Sequence, residues 1–216
     1  MAKPPLILAF DTSAAHCAAA VILGDSVVAS LHEPMAKGQA ERLVPMLQEC
    51  LSRAGADWRD LAALGVGIGP GNFTGTRIAV STARGIALAR GIPAHGVSAF
   101  DALAYGLPRP VLAAIDARQG RVYLRQYRLD GEDTFVCELG RLPDAISLAE
   151  TRVCGDLAGQ IAEQIAAPVV ASADPLAVAI AKIAASRPPG TARPSPLYLR
   201  PADAAPSRDL PPVMLA

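Results

Sequence analysis

Two segments decide the fold, LILAFD at residues 6–11 and VLAAID at residues 111–116. Each is an unbroken apolar run that ends in a carboxylate, Asp11 in one and Asp116 in the other. A strand without polar members has no solvent face, so each is expected to be covered on both sides. The chain downstream of each run also repeats. After Asp11 the pattern predicts a turn at 13–16, a strand at 17–23, a hairpin at Gly24-Asp25 and a returning strand at 27–31. After Asp116 it predicts a turn at 117–120, a strand at 121–128, a turn at Asp130-Gly131 and a strand at 134–139. Helices and short strands then alternate. In the first half they are a helix at 39–54, a strand at 63–68, a helix from Thr74 and a strand at 92–97. In the second they are a helix at 156–166, a strand at 168–171 and a helix at 175–186. A meander that leads into crossovers makes a mixed sheet, so the reading is a duplicated α/β fold joined near residues 105–110.

Composition agrees with a folded chain and narrows its partners. Hydrophobic residues make up 51% of the 216 and charged ones 19%, while only 4% are aromatic, so Ala, Leu, Val and Ile must build the core. Twenty basic residues balance twenty acidic ones, without the basic excess of a dedicated nucleic-acid binder. Cys17, Cys50, Cys137 and Cys154 stand singly, without metal spacing, and read as reduced thiols. The apolar run before Asp11 is too short for a signal peptide or a membrane span, so a cytoplasmic protein without membrane contact is expected. Eight prolines lie beyond Arg187, which predicts an extended or disordered tail with no helix of its own.

GIGPGNFTGTRIAVSTARGIALARG, residues 67–91, invites a phosphate-loop reading and fails its tests. It lacks the lysine of G-x-x-x-x-G-K-[ST], and Gly69-Pro70-Gly71 leads into Asn72, Phe73 and Thr74 rather than into the spacing of G-x-G-x-x-G. The glycines are therefore expected to serve turning and close packing, with Thr74 capping the helix. Along that helix Ile78 and Ile86 share one face, while Val80, Arg84 and Leu88 lie almost opposite, with small Ser81, Gly85 and Ala89 four apart. The second face is either covered within the chain or offered to a partner. The helix at 39–54 repeats the theme, with Leu43, Leu47, Cys50 and Leu51 on a wide apolar face, Met46 at its margin, and Pro45 expected to delay or kink it.

LILAFDTS, GIGPGNFTGTRIA, IDARQGRVY and PLYLR occur in that order between Leu6 and about Arg200. Together they resemble the bacterial TsaB (YeaZ) family of tRNA threonylcarbamoyladenosine biosynthesis proteins. The resemblance implies an actin-like/Hsp70-like ATPase fold made of two tandem RNase H-like halves, here 1–104 and 105–200, with a Pro-rich tail at 201–216. It also implies a non-catalytic role beside a catalytic paralogue, TsaD, and an ATPase, TsaE, with tRNA met only through the complex. Docking would use N-terminal helices, and the residues expected there are Leu43, Met46, Leu47, Arg77, Val80, Ser81, Arg84 and Leu88. A homodimer through the same face is expected when the partner is absent.

The catalytic paralogue binds a metal through H-x-x-x-H after the strand that succeeds this helix. The matching places here are Ala99 and Leu103, so no metal site and no catalytic residue are assigned. His16 and His95 are expected in turn or packing roles. The alternative is a nucleotide-binding kinase- or hydrolase-like enzyme of the same fold. For it the cleft candidates are Asp11, Ser13, Asp116 and Arg118, although no cofactor is expected, since Arg118 stands where backbone should approach phosphate. A third possibility is RNA contact by Arg121, Tyr123, Arg125 and Tyr127, which alternate onto one strand face; a solvated face paired with Glu138 is the simpler reading.

Overall fold

The run at Leu6 becomes the centre of a sheet because both its faces find apolar cover. In the computed structural model, which describes residues 4–147, 149–188, 190 and 192–200, strand β1 (Leu6–Asp11) lies in the middle of five strands. The others are β2 (His16–Leu23), β3 (Ser26–Pro34), β4 (Leu61–Gly67) and β5 (Ala94–Val97), in the order β3-β2-β1-β4-β5. The first three pair antiparallel, while β4 and β5 run parallel to β1. That is the RNase H-like order, and it comes again in shorter form. The second sheet, β8-β7-β6-β9, is built from β6 (Val111–Asp116), β7 (Arg121–Tyr127), β8 (Glu132–Glu138) and β9 (Arg152–Gly155). Strands β6 and β7 pair antiparallel and β6 and β9 parallel, so the apolar run ending in Asp is central in both halves.

Alternation assigns the covers. Leu8 and Phe10 point to helices α1 (Gln39–Arg53) and α2 (Phe73–Arg90). Ile7 and Ala9 point the other way, to α5 (Leu176–Ala185). In the second sheet, Leu112 and Ala114 meet α4 (Ala158–Ile165), and Val111 and Ala113 meet the short helix α3 (Ala99–Ala104). So α5, which comes after the second sheet in the chain, closes the first, and α3, which comes before the second sheet, helps to cover it. Gly65 makes the first arrangement possible, since a Cβ there would press at 3.0 Å on both Ala184 and Ile180 of α5.

Several expectations need correction. The strand expected at 168–171 is only a single parallel bridge, Val153 to Val169, beside β9, because just two backbone hydrogen bonds, Val153 N–H to the Pro168 carbonyl and Val170 N–H to the Val153 carbonyl, hold it there. Helix α1 runs through Pro45 without interruption. The cap of α2 is Asn72, whose side chain accepts the Gly75 N–H at 3.1 Å, and not Thr74. The Pro-rich tail expected at 201–216 lies outside the described residues.

Candidate functional site

The two halves face each other across a cleft of about 520 Å³. The ends of β1 and β6 both lead towards it, but their carboxylates behave differently. Asp11 is fully buried and does not line the cleft. Its Oδ1 accepts the Ser13 N–H and hydroxyl, both at 2.9 Å, and meets His16 Nε2 at 2.8 Å. Its Oδ2 has no hydrogen-bond partner and fills the space a side chain at Gly67 would take. Asp11 therefore shapes the β1–β2 turn rather than reaching a ligand. Ser13 lines the cleft but spends its hydroxyl on Asp11.

Asp116 is exposed at the cleft, where its Oδ1 accepts the Arg118 N–H at 2.7 Å. Arg118 and Gln119 hold left-handed φ values of 63° and 54°, with Gly120 next at 70°. Such conformations cost a side-chain-bearing residue on the order of 1 kcal/mol each. They turn the Arg118 side chain outward, with its Nε 4.0 Å from Asp116. Beside them, just past the end of β9, Asp156 also lines the cleft. Although open to solvent at the mouth, Asp156 is hemmed in by the walls, and this desolvation pushes its carboxyl up. The Asp116 charge adds to the rise, while a backbone hydrogen bond from Asp116 opposes it.

A pKa raised in the fold means that the protonated form adds stability below the ordinary carboxylate range. That contribution disappears as pH rises through the raised value. Asp156→Asn should accordingly melt higher than the parent at about pH 7, and the difference should shrink to nothing by about pH 3. Melting curves across that range decide it; a constant difference would show that the effect is not ionisation.

The glycines of 67–75 serve packing, as their spacing predicted. A Cβ at Gly71 would overlap the Ser13 carbonyl oxygen, and one at Gly75 the Thr12 carbonyl oxygen. The Asn72 N–H donates to the Ser13 carbonyl and the Thr12 hydroxyl to the Gly75 carbonyl, at 2.5 and 2.7 Å.

The expected docking residues divide sharply. Leu43, Met46 and Leu47 are fully buried under the first sheet, and Val80 is only 2% exposed, so none of these four is available to a partner. The buried arc of α2 is centred on Ala79 and Ala83, with Ile78 and Ile86 half-buried on one flank and Val80 on the other. Alanines let the helix sit low on the sheet, which draws both flanks in. Arg77, Ser81, Arg84 and Leu88 do form the outer stripe, with Leu88 82% exposed. Beside it α1 exposes Val44, at 50%, and Pro45, which the sequence reading missed because both stand next to buried residues.

Of the four residues of the RNA-contact face, Arg121 is exposed and the other three are engaged within the chain. Tyr123 and Tyr127 are buried, and the Tyr127 hydroxyl donates to Asp101 at 2.6 Å. Burial, with the Asp101 charge, pushes that phenol well up. Arg125 lies 3.5 Å from both Asp101 and Glu132 and 4.9 Å over the Phe100 ring. His95 is buried on β5, where desolvation lowers its pKa, and His16 is held by Asp11. Ala99 and Leu103 sit one turn apart on α3, both on the cleft wall. Among the described residues no helix is long and apolar enough to cross a membrane, and no three His, Cys, Asp or Glu side chains converge as metal ligands.

This architecture has relatives. The family model described as TsaD, tRNA N6-adenosine threonylcarbamoyltransferase, matches residues 31–146. The chain is 40% identical over 139 residues to the tRNA threonylcarbamoyladenosine biosynthesis protein TsaB of Escherichia coli. That match takes in 59% of this chain and 60% of the relative's length. A solved structure of YeaZ from Pseudomonas aeruginosa superposes with a TM-score of 0.68 at 30% identity, over 83% of this chain and 90% of that one. Another from that organism, described as an uncharacterized protein with similarity to peptidase YEAZ, reaches 0.71 at 27% identity, over 91% and 100%. With the repeated RNase H-like order, these likenesses give an actin-like ATPase fold in two tandem halves, and the chain belongs to the TsaB/YeaZ family.

Proposed function

We propose that this chain is a non-catalytic subunit in the biosynthesis of threonylcarbamoyladenosine in tRNA. It seats a TsaD-like catalytic paralogue on the outer face of α2, a TsaE-like ATPase joins the pair, and tRNA is met only through the complex. In this reading residues 1–104 carry the docking helices, residues 105–200 form the second half, and the protein works in the cytoplasm. The observation that carries it is the cleft wall of α3. Positions 99 and 103, where a metal-binding histidine pair would project, hold an alanine and a leucine. The E. coli relative's name supplies the pathway, and the outer stripe ending in Leu88 supplies a surface for a partner. Leu88 with Val44 and Pro45 of α1 leaves apolar surface of the kind that association covers. A second copy of the chain would cover it when the paralogue is missing.

The purified chain should neither hydrolyse ATP appreciably nor modify tRNA. Adding the paralogue and the ATPase should give threonylcarbamoyl transfer that none of the components gives alone. Robust ATP hydrolysis by the pure chain would put the kinase- or hydrolase-like reading in its place.

A further inference from the structure

Beyond α5 the chain runs without helix or strand over residues 192–200, and its fastenings fall on both halves. On the first half, the Leu197 N–H donates to the Ile68 carbonyl at 2.8 Å. Arg84 Nε donates to the Pro194 carbonyl and Arg77 Nε to the Tyr198 hydroxyl, each at 2.7 Å. The Tyr198 ring stacks on Phe73 with centroids 4.9 Å apart, and the Arg77 guanidinium lies 3.7 Å over Phe73. On the second half, Arg200 donates to the Ala117 carbonyl at 3.0 Å, one residue past Asp116, and Leu199 packs under the second sheet. Leu197, Tyr198, Leu199 and Arg200 all line the cleft between these anchors.

The span is short. Three residue steps separate Leu197 from Arg200, and extended chain covers at most about 3.5 Å per step, so roughly 10 Å of backbone joins the two halves here. While both ends hold, the cleft can open no further than that tether allows. Two of the fastenings, Arg77 and Arg84, stand on the outer stripe of α2. We propose that residues 194–200 are a strap that sets the aperture of the cleft, and that Arg77 and Arg84 make the aperture responsive to whatever seats on α2. The second clause rests on the docking reading above; the first does not.

The test is amide hydrogen exchange on the isolated protein, then on its complex with the paralogue. In the double variant Tyr198→Ala/Arg200→Ala, cleft amides such as those of Ser13 and Arg118 should exchange about tenfold faster, as local opening demands, while the melting temperature stays near the parent value. A chain ending at Arg200 should behave like the parent, and a chain ending at Arg193 like the double variant. If the shorter chain does not fold, the double variant decides. Unchanged exchange at the cleft in a folded double variant would overturn the strap. For the coupling, the Leu197 amide should change its exchange about threefold or more when the paralogue binds. Binding that leaves Leu197 unchanged would refute the coupling and spare the docking. Absence of binding would remove docking and coupling together and leave the aperture result standing.

Discussion

Gly75→Ala is expected to lower the melting temperature by about 6–12 °C, from a cost on the order of 3 kcal/mol in a chain of this size. The new methyl would meet backbone: it overlaps the Thr12 carbonyl oxygen and stands 3.0 Å from its carbon. Neither atom can turn aside as a side-chain end could, so α2 must lift from the β1–β2 turn. Lifting it stretches the buried hydrogen bond from the Thr12 hydroxyl to the Gly75 carbonyl. The control is Gly85→Ala on the same helix, where a Cβ meets nothing within 4 Å. There the better helix propensity of alanine should add up to about 1 kcal/mol, raising the melting temperature by about 2–4 °C. One substitution type on one helix should thus act with opposite signs. Equal responses would mean that the close seat of α2 on Thr12 is wrong.

Leu88→Glu should leave stability within about 0.5 kcal/mol, because the side chain already stands in water. If the paralogue docks here as proposed, the same carboxylate would be stranded in the contact, at a cost of about 3 kcal/mol or more, which weakens binding over a hundredfold. Val80→Glu should do the reverse. Val80 is only 2% exposed, and a charge buried there should unfold the chain before any partner can be offered. Pull-down with the catalytic paralogue, run beside thermal melts of both variants, separates the outcomes. If Leu88→Glu folds and binds as the parent does, the docking surface lies elsewhere.

The strands were legible because burial on two sides leaves a simple mark. The runs at Leu6 and Val111 contain nothing but apolar residues up to their terminal carboxylates, and both are central strands. The turn glycines were legible for a related reason: a sequence that fits no phosphate-loop spacing yet keeps its glycines must be packing something closely. Helix faces were harder. On α2 the larger residues, Ile78 and Ile86 against Val80 and Leu88, drew attention away from Ala83, which faces the sheet together with Ala79. Small residues carry weak hydrophobicity but permit the nearest approach, so the centre of a buried arc can be its least conspicuous part. Asp11 and Asp116 looked equivalent because both end a central strand. Only the bare Cα of Gly67, a residue on another strand, shows why one is drawn inward and the other is not. The strap, too, depends on partners more than a hundred residues away, Arg77 and Arg84, and local pattern carries no such information.

The exchange of helices between the halves bears on how the chain is made. During synthesis the five strands of the first sheet are complete at Val97, yet the face formed by Ile7, Ala9, Ile22 and Ala63 stays without its cover until α5 has been translated at Leu176–Ala185. For the whole of that interval the nascent first half carries a wet apolar sheet face, the kind of surface that recruits chaperones and invites misassembly. Cutting the chain after residue 104 would not release an independent unit, because it would hand α3 to one fragment and its sheet to the other, and leave α5 behind as well. Maturation is therefore tied to completion: α1 and α2 gain a finished platform only when the last helix of the described chain has folded back onto the opposite face of their sheet.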